Sequence, residues 1–189
     1  MKLEVNKRTM LTDTFKPLTV GFVVRLLSGK SLTDQGWHLS MIASVAGFLF
    51  YNLFIDNLIN TEDLVHENQH KLVNDVTKTF FRLMVTNMLA GEKLDMDWLV
   101  ATIITITGFT VYHVFVSNYV KGADICPDSR LADAINDWAR AGTMLALTPV
   151  LKGEKVLKAS WIDRIGRTLL GLGVYHGGVN PLIESVFDV

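Results

Sequence analysis

Residues 66–70, His-Glu-Asn-Gln-His, have the spacing that zinc peptidases use. On a helix, His66 and His70 project from one face, and Glu67 could act as general base on a metal-bound water. A catalytic zinc also needs a third protein ligand. Glu92, further along the chain, belongs to a recurring Gly-Glu-Lys pattern and is not an independent candidate. We therefore predict that this pentapeptide is an exposed polar turn without catalytic activity.

Other sequence features also argue against an enzyme. We find no nucleophile triad, phosphate-binding loop, dinucleotide fingerprint or complete metal-ligand set, and we expect no catalytic residue, no cofactor and no bound metal. The net charge of −1 does not provide the basic surface that nucleic acid requires. Cys126 is the only cysteine, so an internal disulfide is impossible. The polar start of the chain also lacks the apolar region of a cleaved signal peptide.

Two apolar stretches predict insertion into a membrane. Residues 38–59 have no charge before Asp56, and residues 98–120 contain no Asp, Glu, Lys or Arg. Each could cross a hydrocarbon core of roughly 30 Å as a helix that rises about 1.5 Å per residue. The mean hydropathy of the chain, +0.29, is mild for a membrane protein. The alternative is therefore a pair of buried helices in a soluble bundle.

The chain contains an internal repeat of about 62 residues. Gly29, Gly91 and Gly153 lie 62 residues apart, and other residues recur at nearly constant offsets from them. Each unit contains an Asp followed three residues later by a cation, a Trp, a second Gly, and a Tyr followed by a polar residue. The recurring residues are Asp13, Lys16, Asp75, Lys78, Asp137 and Arg140, then Trp37, Trp98 and Trp161, then Gly47, Gly108 and Gly171, then Tyr51, Tyr112 and Tyr175, and finally Asn52, His113 and His176.

Each repeat is predicted to be a helical hairpin. A first helix, segment a, is expected at about 14–28, 76–90 and 138–151, and a second, segment b, at about 36–59, 97–120 and 160–186. The organisation is thus a polar N-terminal tail (1–12), hairpins at 13–60, 75–121 and 137–189, and linkers at 61–74 and 122–136. This predicts an all-α, polytopic membrane bundle of up to six helices with pseudo-threefold symmetry. Segment a, at about 15 residues, is short for a span.

The repeated residues have predictable structural roles. Asp13, Asp75 and Asp137 are expected to cap segment a, or to pair with Lys16, Lys78 and Arg140 at i, i+3. The first glycines suit the left-handed position that ends a helix.

The second glycines, Gly47, Gly108 and Gly171, are expected to let a neighbouring helix approach closely. Tyr51, Tyr112 and Tyr175 lie one turn later on the same face and need hydroxyl partners. We expect Gly108→Leu to destabilise the bundle, and the same change at Gly122, in a linker, to be milder.

Asn52, His113 and His176 occupy one equivalent position and form a predicted polar layer. Polar groups at membrane depth are candidates for function and could line a constriction or relay protons. The interpretation that we favour is that each bonds a neighbouring backbone or the Tyr of the adjacent repeat. The sequence leaves both interpretations open.

Two resemblances bear on function. The Asp-x-x-Lys/Arg triplet resembles mitochondrial carriers in outline, but positions 11, 73 and 135 lack their proline, and we do not transfer their function. The stretches GFLFYNLF (47–54) and GFTVYHVF (108–115) resemble segments of small multi-pass membrane proteins of large double-stranded DNA viruses of algae and protists. That resemblance covers the b segments, about a third of the chain, and implies a virion component in the membrane under the capsid.

These observations lead to two expectations about function. The first is a non-enzymatic integral membrane protein with a structural or assembly role, in a virion or host internal membrane. Its partners would be the lipid bilayer and other membrane or capsid proteins, and not nucleic acid. The second is a small channel or transporter built from three parallel repeats. A transporter needs all six helices to enclose a polar path, whereas a structural protein needs only membrane anchors.

Overall fold

The computed structural model describes residues 6–58, 67–126, 128–154 and 158–187, and every regular element in these ranges is helical. Six helices are long: α1 (Lys7–Leu27), α2 (Gln35–Phe50), α3 (Glu67–Leu89), α4 (Met96–Val111), α6 (Ser129–Leu151) and α7 (Ala159–Val174). Two are short, α5 (Gly122–Ile125) and α8 (Asn180–Phe187). The prediction of an all-α fold is confirmed.

Three π-helical segments follow the second helices, one in each hairpin. They are Tyr51–Ile55 after α2, Tyr112–Val116 after α4 and Tyr175–Val179 after α7. Each begins at one of the recurring tyrosines. A 3₁₀ turn, Asp56–Leu58, follows the first π segment, and α8 follows the third directly. The second helices begin at Gln35, Met96 and Ala159, each within one residue of the predicted start of segment b.

The a segments begin earlier than predicted, because polar residues before each Asp are already helical. Helices α1, α3 and α6 contain 21, 23 and 23 residues, or roughly 32–35 Å at 1.5 Å per residue. Residues 7–12 therefore belong to α1 rather than to a tail, and 67–74 and 129–136 belong to helices rather than to linkers. These helices are long enough to cross a membrane, which corrects the predicted length.

The earlier starts also show that the predicted capping role was wrong. Asp13, Asp75 and Asp137 lie inside α1, α3 and α6. The N-cap of α1 is Asn6, whose side chain accepts a hydrogen bond from the Thr9 amide. The N-cap of α6 is Asp128. Asp is a favoured cap, and this preference placed the predicted boundary about two turns too late.

The turns that join the two helices of each hairpin are alike. Gly29, Gly91 and Gly153 have φ values of 63°, 72° and 67°, the left-handed region that only glycine enters at little cost. After Gly29, the Lys30 amide donates to the Arg25 carbonyl (3.3 Å), and corresponding bonds follow Gly91 and Gly153. This is the Schellman arrangement for a helix C-terminus, and the predicted role of these glycines is confirmed.

The long helices pack in a closed ring. The principal contacts run α1–α2–α3–α4–α6–α7 and return from α7 to α1. Each helix of a hairpin therefore touches its partner in the hairpin and one helix of a neighbouring hairpin. The hydrophobic stretches remain largely at the surface, since only 28% of the apolar window in residues 35–55 and 22% of that in residues 96–116 is buried.

Glycines allow the close contacts between hairpins. A Cβ added to Gly47 would lie 2.9 Å from the Arg82 Cα, and one on Gly171 would lie 3.0 Å from the Val20 Cα. At Gly108 the nearest atom would be the Met144 Cγ, at 3.3 Å. The expected close-contact role of these three glycines agrees with this geometry.

The milder effect expected at Gly122 is not supported. An added Cβ there would overlap the carbonyl oxygen of Ala132 and lie 2.6 Å from the carbonyl carbon. The short helix α5 packs against α6 at this point, so Gly122 is a tighter contact than Gly108.

Candidate functional site

The candidate site is built at the end of the ring where the π segments lie. The recurring tyrosines begin these segments and are buried, with 1%, 6% and 1% exposure for Tyr51, Tyr112 and Tyr175. Their hydroxyls donate to Asn74 Oδ1 (2.8 Å), the Asn136 carbonyl (3.3 Å) and Asn180 Oδ1 (3.2 Å), respectively. The partners of Tyr51 and Tyr112 lie on helices of the next hairpin, so these two hydroxyls fix their π segments against a neighbour, whereas Tyr175 bonds Asn180 of its own hairpin.

The residue after each tyrosine bonds an aspartate of its own hairpin. Asn52 Nδ2 donates to Asp13 Oδ2 at 2.7 Å, and His113 Nε2 lies 2.8 Å from Asp75 Oδ2. His176 Nε2 lies 2.8 Å from Asp137 Oδ2. All three side chains of the polar layer are buried. The predicted alternatives, a neighbouring backbone or an adjacent tyrosine, named the wrong partner.

Each aspartate also binds a cation from the next hairpin. Lys78 Nζ contacts Asp13 Oδ2 at 2.8 Å, Arg140 contacts Asp75 Oδ2 at 3.0 Å, and Lys16 Nζ contacts Asp137 Oδ2 at 2.6 Å. Since the third hairpin binds the first, the pairs run once around the ring. We call these six side chains the charged layer: Asp13, Lys16, Asp75, Lys78, Asp137 and Arg140.

The predicted pairing within one repeat holds for one aspartate. Arg140 contacts Asp137 Oδ1 at 2.7 Å, three residues along the same helix. Lys16 and Lys78 instead reach aspartates on other hairpins. These two lysines therefore join hairpins instead of pairing within one helix.

The charged layer lies inside the ring. Its ion pairs connect α1, α3 and α6, which are separated from one another by α2, α4 and α7 in the order of packing. The aspartate side chains retain only 10–18% of their accessible surface. An ion pair that is mostly buried and joins helices across an intervening helix must pass through the interior.

Aromatic rings cover two of the cations. Lys16 Nζ lies 5.5 Å from the centre of the Tyr175 ring, and Lys78 Nζ lies 5.6 Å from that of Tyr51. Both distances are within the range of a cation–π interaction. In each case the tyrosine precedes the polar residue that shares an aspartate with the same lysine, so the contacts form one compact unit.

A cleft of about 900 Å³ opens onto one part of the charged layer. Residues from α3, α6 and the second π segment form its wall. The residues that matter for its chemistry are Asn74, Asp75, His113, Asn136, Asp137 and Arg140. This cleft could not be foreseen from the sequence, because the repeats predict three equivalent sites and not one that is open.

Three further polar contacts were missed from the sequence. Asp34 caps α2 by accepting bonds from the Gly36 and Trp37 amides, and Asp95 caps α4 by accepting from Trp98. Arg25 donates to Asp34 Oδ2 at 2.6 Å, and this bond lowers the pKa of the Asp34 carboxyl. An Asp three residues before the recurring Trp was the available signal for both caps.

The zinc-peptidase pattern is only partly within the described residues. His66 lies outside them, as do the side chains of Glu67 and Asn68, and α3 begins at Glu67. The absence of catalytic activity at this pentapeptide therefore stays a prediction.

The site is thus a ring of buried ion pairs between three hairpins, reached by a polar cleft in one sector. Comparison with known proteins does not add a relative from which a role could be transferred: no family model, no curated protein and no solved structure matches the chain.

Proposed function

We propose that this chain is an integral membrane protein of three hairpin repeats, and that its closed ring of six helices forms a gated path for small ions or polar solutes. The observation that carries the proposal is the charged layer inside the ring. Charged side chains within a membrane are costly and usually mark ion or substrate pathways. A purely structural anchor has no need for six of them.

Membrane insertion is supported by two helical runs, Gln35–Ile55 and Met96–Val116, that are long and apolar enough to span a bilayer. Most of their apolar windows face outward. Large exposed side chains on them include Ile42, Phe54, Ile103 and Phe115. An apolar surface of this extent is unusual for a soluble monomer.

In the proposed arrangement, α1, α3 and α6 span the membrane as the inner helices. They carry the charged layer, and the more apolar α2 and α4 separate them from lipid. The termini and the two linkers then share one side of the membrane, with the glycine turns on the other. The Lys and Arg counts weakly favour the cytoplasm for the side with the termini.

The charged layer is proposed to act as the closed gate. Its carboxylates and cations neutralise one another, and each inter-hairpin pair holds two inner helices together. Opening would require these pairs to separate and exchange partners with water or solute. The cleft beside Asp75 and Arg140 gives solute access to one pair from the linker side.

The test uses purified protein in liposomes and measures efflux of K⁺, Cl⁻ and glycerol. The double variant Asp13→Asn, Lys78→Gln removes one inter-hairpin pair without changing the net charge. We expect it to raise the efflux several-fold above wild type. The matched control, Asp163→Asn with Arg167→Gln, removes an exposed i, i+4 pair on α7 and should leave efflux unchanged. Efflux equal to that of empty liposomes for folded wild type and double variant would refute a path.

A structural or assembly role is the second candidate. It is favoured by the one-to-one matching of charges, because a fully paired layer would serve as a permanent lock in a rigid scaffold. If the viral resemblance holds, this scaffold would lie in a virion internal membrane and contact capsid proteins. A scaffold predicts no efflux from any folded variant, and a loss of thermal stability when the pair is removed.

A further inference from the structure

The three residues of the polar layer share an unusual feature. Each gives one end of its side chain to an aspartate and leaves the other end buried without a hydrogen-bond partner among the described residues. The unpartnered atoms are Asn52 Oδ1, His113 Nδ1 and His176 Nδ1. Buried polar atoms nearly always have hydrogen-bond partners, so an unpartnered atom at three equivalent positions requires an explanation.

Only one of these three residues lines the cleft. His113 belongs to its wall together with Asp75 and Arg140. His113 is 5% exposed and its Nδ1 is buried, so the ring lies directly behind the surface of the cleft, at the edge of the charged layer. Asn52 and His176 are not among the residues that form this wall in the described part of the chain.

The hydrogen bond to Asp75 determines which nitrogen of His113 is free. A neutral imidazole carries a proton on one nitrogen only. Asp75 is an acceptor, since it also receives Arg140, and His113 Nε2 therefore carries the proton and donates. The lone pair of Nδ1 therefore remains available to accept a proton.

We infer that His113 Nδ1 is a proton-binding site that controls the charged layer; the inference rests on the proposed function. A hydronium ion in the cleft transfers a proton to Nδ1: one O–H bond breaks, one N–H bond forms, and a water molecule is released. His113 becomes an imidazolium ion. Asn52, at the same position in the first hairpin, cannot take up a proton, and His176, in the third, does not line the cleft, so the proposed sensor is confined to one sector.

The added charge competes directly with Arg140. His113 Nε2 and Arg140 donate to the same oxygen, Asp75 Oδ2. Arg140 already holds a second carboxylate, through Asp137 Oδ1. Once His113 is charged, Asp75 is neutralised by its own hairpin, and Arg140 can remain with Asp137. The connection between α3 and α6 is thereby weakened, and acid pH is expected to open the gate at this sector.

Other charged groups near the ring do not remove this effect. From α3, the ring is faced by Asp75, and from α6 by Asp137 and Arg140. Lys71 and Lys121 also line the cleft, and Tyr112 packs edge-on against the ring. The lysines do not provide a partner for Nδ1.

The first test observes the proton itself. Protein labelled with ¹⁵N at histidine is titrated in nanodiscs between about pH 5 and about pH 8, and His113→Asn assigns the signal. At the equivalent position of the first hairpin, Asn52 already bonds an aspartate, Asp13, so the His113→Asn variant is expected to fold. We expect the His113 Nδ1 signal to move from a bare to a protonated nitrogen as the pH falls. A signal that does not change across this range would overturn the proposal.

The second test measures efflux of K⁺ and Cl⁻ from liposomes at both ends of that range. Wild type should conduct several-fold faster at acid pH, and His113→Asn should lose the pH dependence. His176→Asn, whose ring does not line the cleft, should keep it. A titrating His113 without efflux at any pH would refute the path but leave the proton site intact. Efflux that keeps its pH dependence in His113→Asn would refute the proton site alone.

Discussion

The second helices of the second and third hairpins share an interior and differ on their outer faces. Helix α4 with its π segment, Met96–Val116, is apolar enough to cross a membrane. Helix α7 carries Asp163, Arg164 and Arg167 within its first nine residues. Yet both place a glycine against the next hairpin, begin a π segment at a buried tyrosine and bond a histidine to an aspartate.

This comparison separates two kinds of sequence constraint. Residues that face the ring interior are fixed by backbone contact and by a specific carboxylate, and they recur. Residues on the outer face need only suit their surroundings, and these surroundings need not be the same around the ring. Mean hydropathy depends strongly on these outer residues, which is why α2 and α4 qualify as candidate spans among the described residues and α7 does not.

The largest expected effect concerns the shared interior. Asp137 binds Lys16, Arg140 and His176, and Asp137→Ala would leave two buried cations without it. We expect this change to lower the free energy of unfolding by about 3–5 kcal/mol, as for other broken buried pairs. Asp75→Ala should cost less, because Arg140 keeps Asp137, whereas in Asp137→Ala Arg140 keeps Asp75 but Lys16 loses its carboxylate. Denaturant unfolding in detergent measures both, and an equal loss would show that the two sites are energetically alike.

The outer faces of α4 and α7 should differ in how well they tolerate a charged side chain. Ile103 on α4 and Ile162 on α7 are similarly exposed, at 53% and 55%. Ile103→Arg should oppose membrane insertion by about 2.5–3.5 kcal/mol, the cost of arginine near the centre of a span. Ile162→Arg should cost much less, because it lies near a helix end beside charged residues. A membrane-insertion assay with each helix as the test segment decides, and equal tolerance would argue against lipid contact at α4.

The recurring glycines at the contacts between hairpins should not tolerate large side chains. Gly108→Leu and Gly171→Leu introduce side chains where the neighbouring helix leaves no room, and each should cost roughly 1–3 kcal/mol of stability through overpacking. The effect at Gly171 should be the larger, since its Cβ would meet backbone at 3.0 Å.

The control for these variants lies on α7 itself. A Cβ on Gly166 would have no atom within 4 Å, so Gly166→Leu should melt like wild type in detergent. If Gly171→Leu also melts like wild type, α7 does not pack on α1 as described.

The smallest expected effect concerns the exposed pair on α7. Asp163 and Arg167 form an i, i+4 salt bridge at 2.7 Å with solvent-accessible side chains. Replacing them with Asn and Gln should change the free energy of unfolding by no more than about 0.5 kcal/mol. A larger loss would mean that these charges bind something on the outer face, which would sharpen the contrast with α4.

The sequence predicted the helical hairpins and much of their detail. The left-handed glycines, the close-contact glycines and the buried tyrosines all follow from local rules, because each role depends on the size or backbone freedom of one residue. The b segments were also well placed, since a long apolar run has clear ends.

Other features could not be predicted because they depend on how hairpins meet. Nothing in the chain states that Lys78 pairs with Asp13 rather than Asp75, since both spacings are chemically acceptable. The start of α1 was missed because Asp13 is a good cap in isolation. The π segments were missed because a tyrosine four residues after a glycine fits an α-helix equally well.

The π segments also determine how the chain tolerates changes in length. In each, an amide bonds the tyrosine carbonyl five residues back, as Ser117 does to Tyr112 at 2.8 Å, so the turn holds one more residue than an α-helical turn. Deleting a single residue there, for example Gly177, would return the wide turn to ordinary α-helical winding, so the segment downstream would keep its direction. In the third hairpin, buried Ile183 and exposed Leu182 would then keep their present faces, whereas a deletion within the regular part of α7 would rotate them by about 100°. The three π segments are therefore the points at which the second helices can lose one residue without turning the segment that follows.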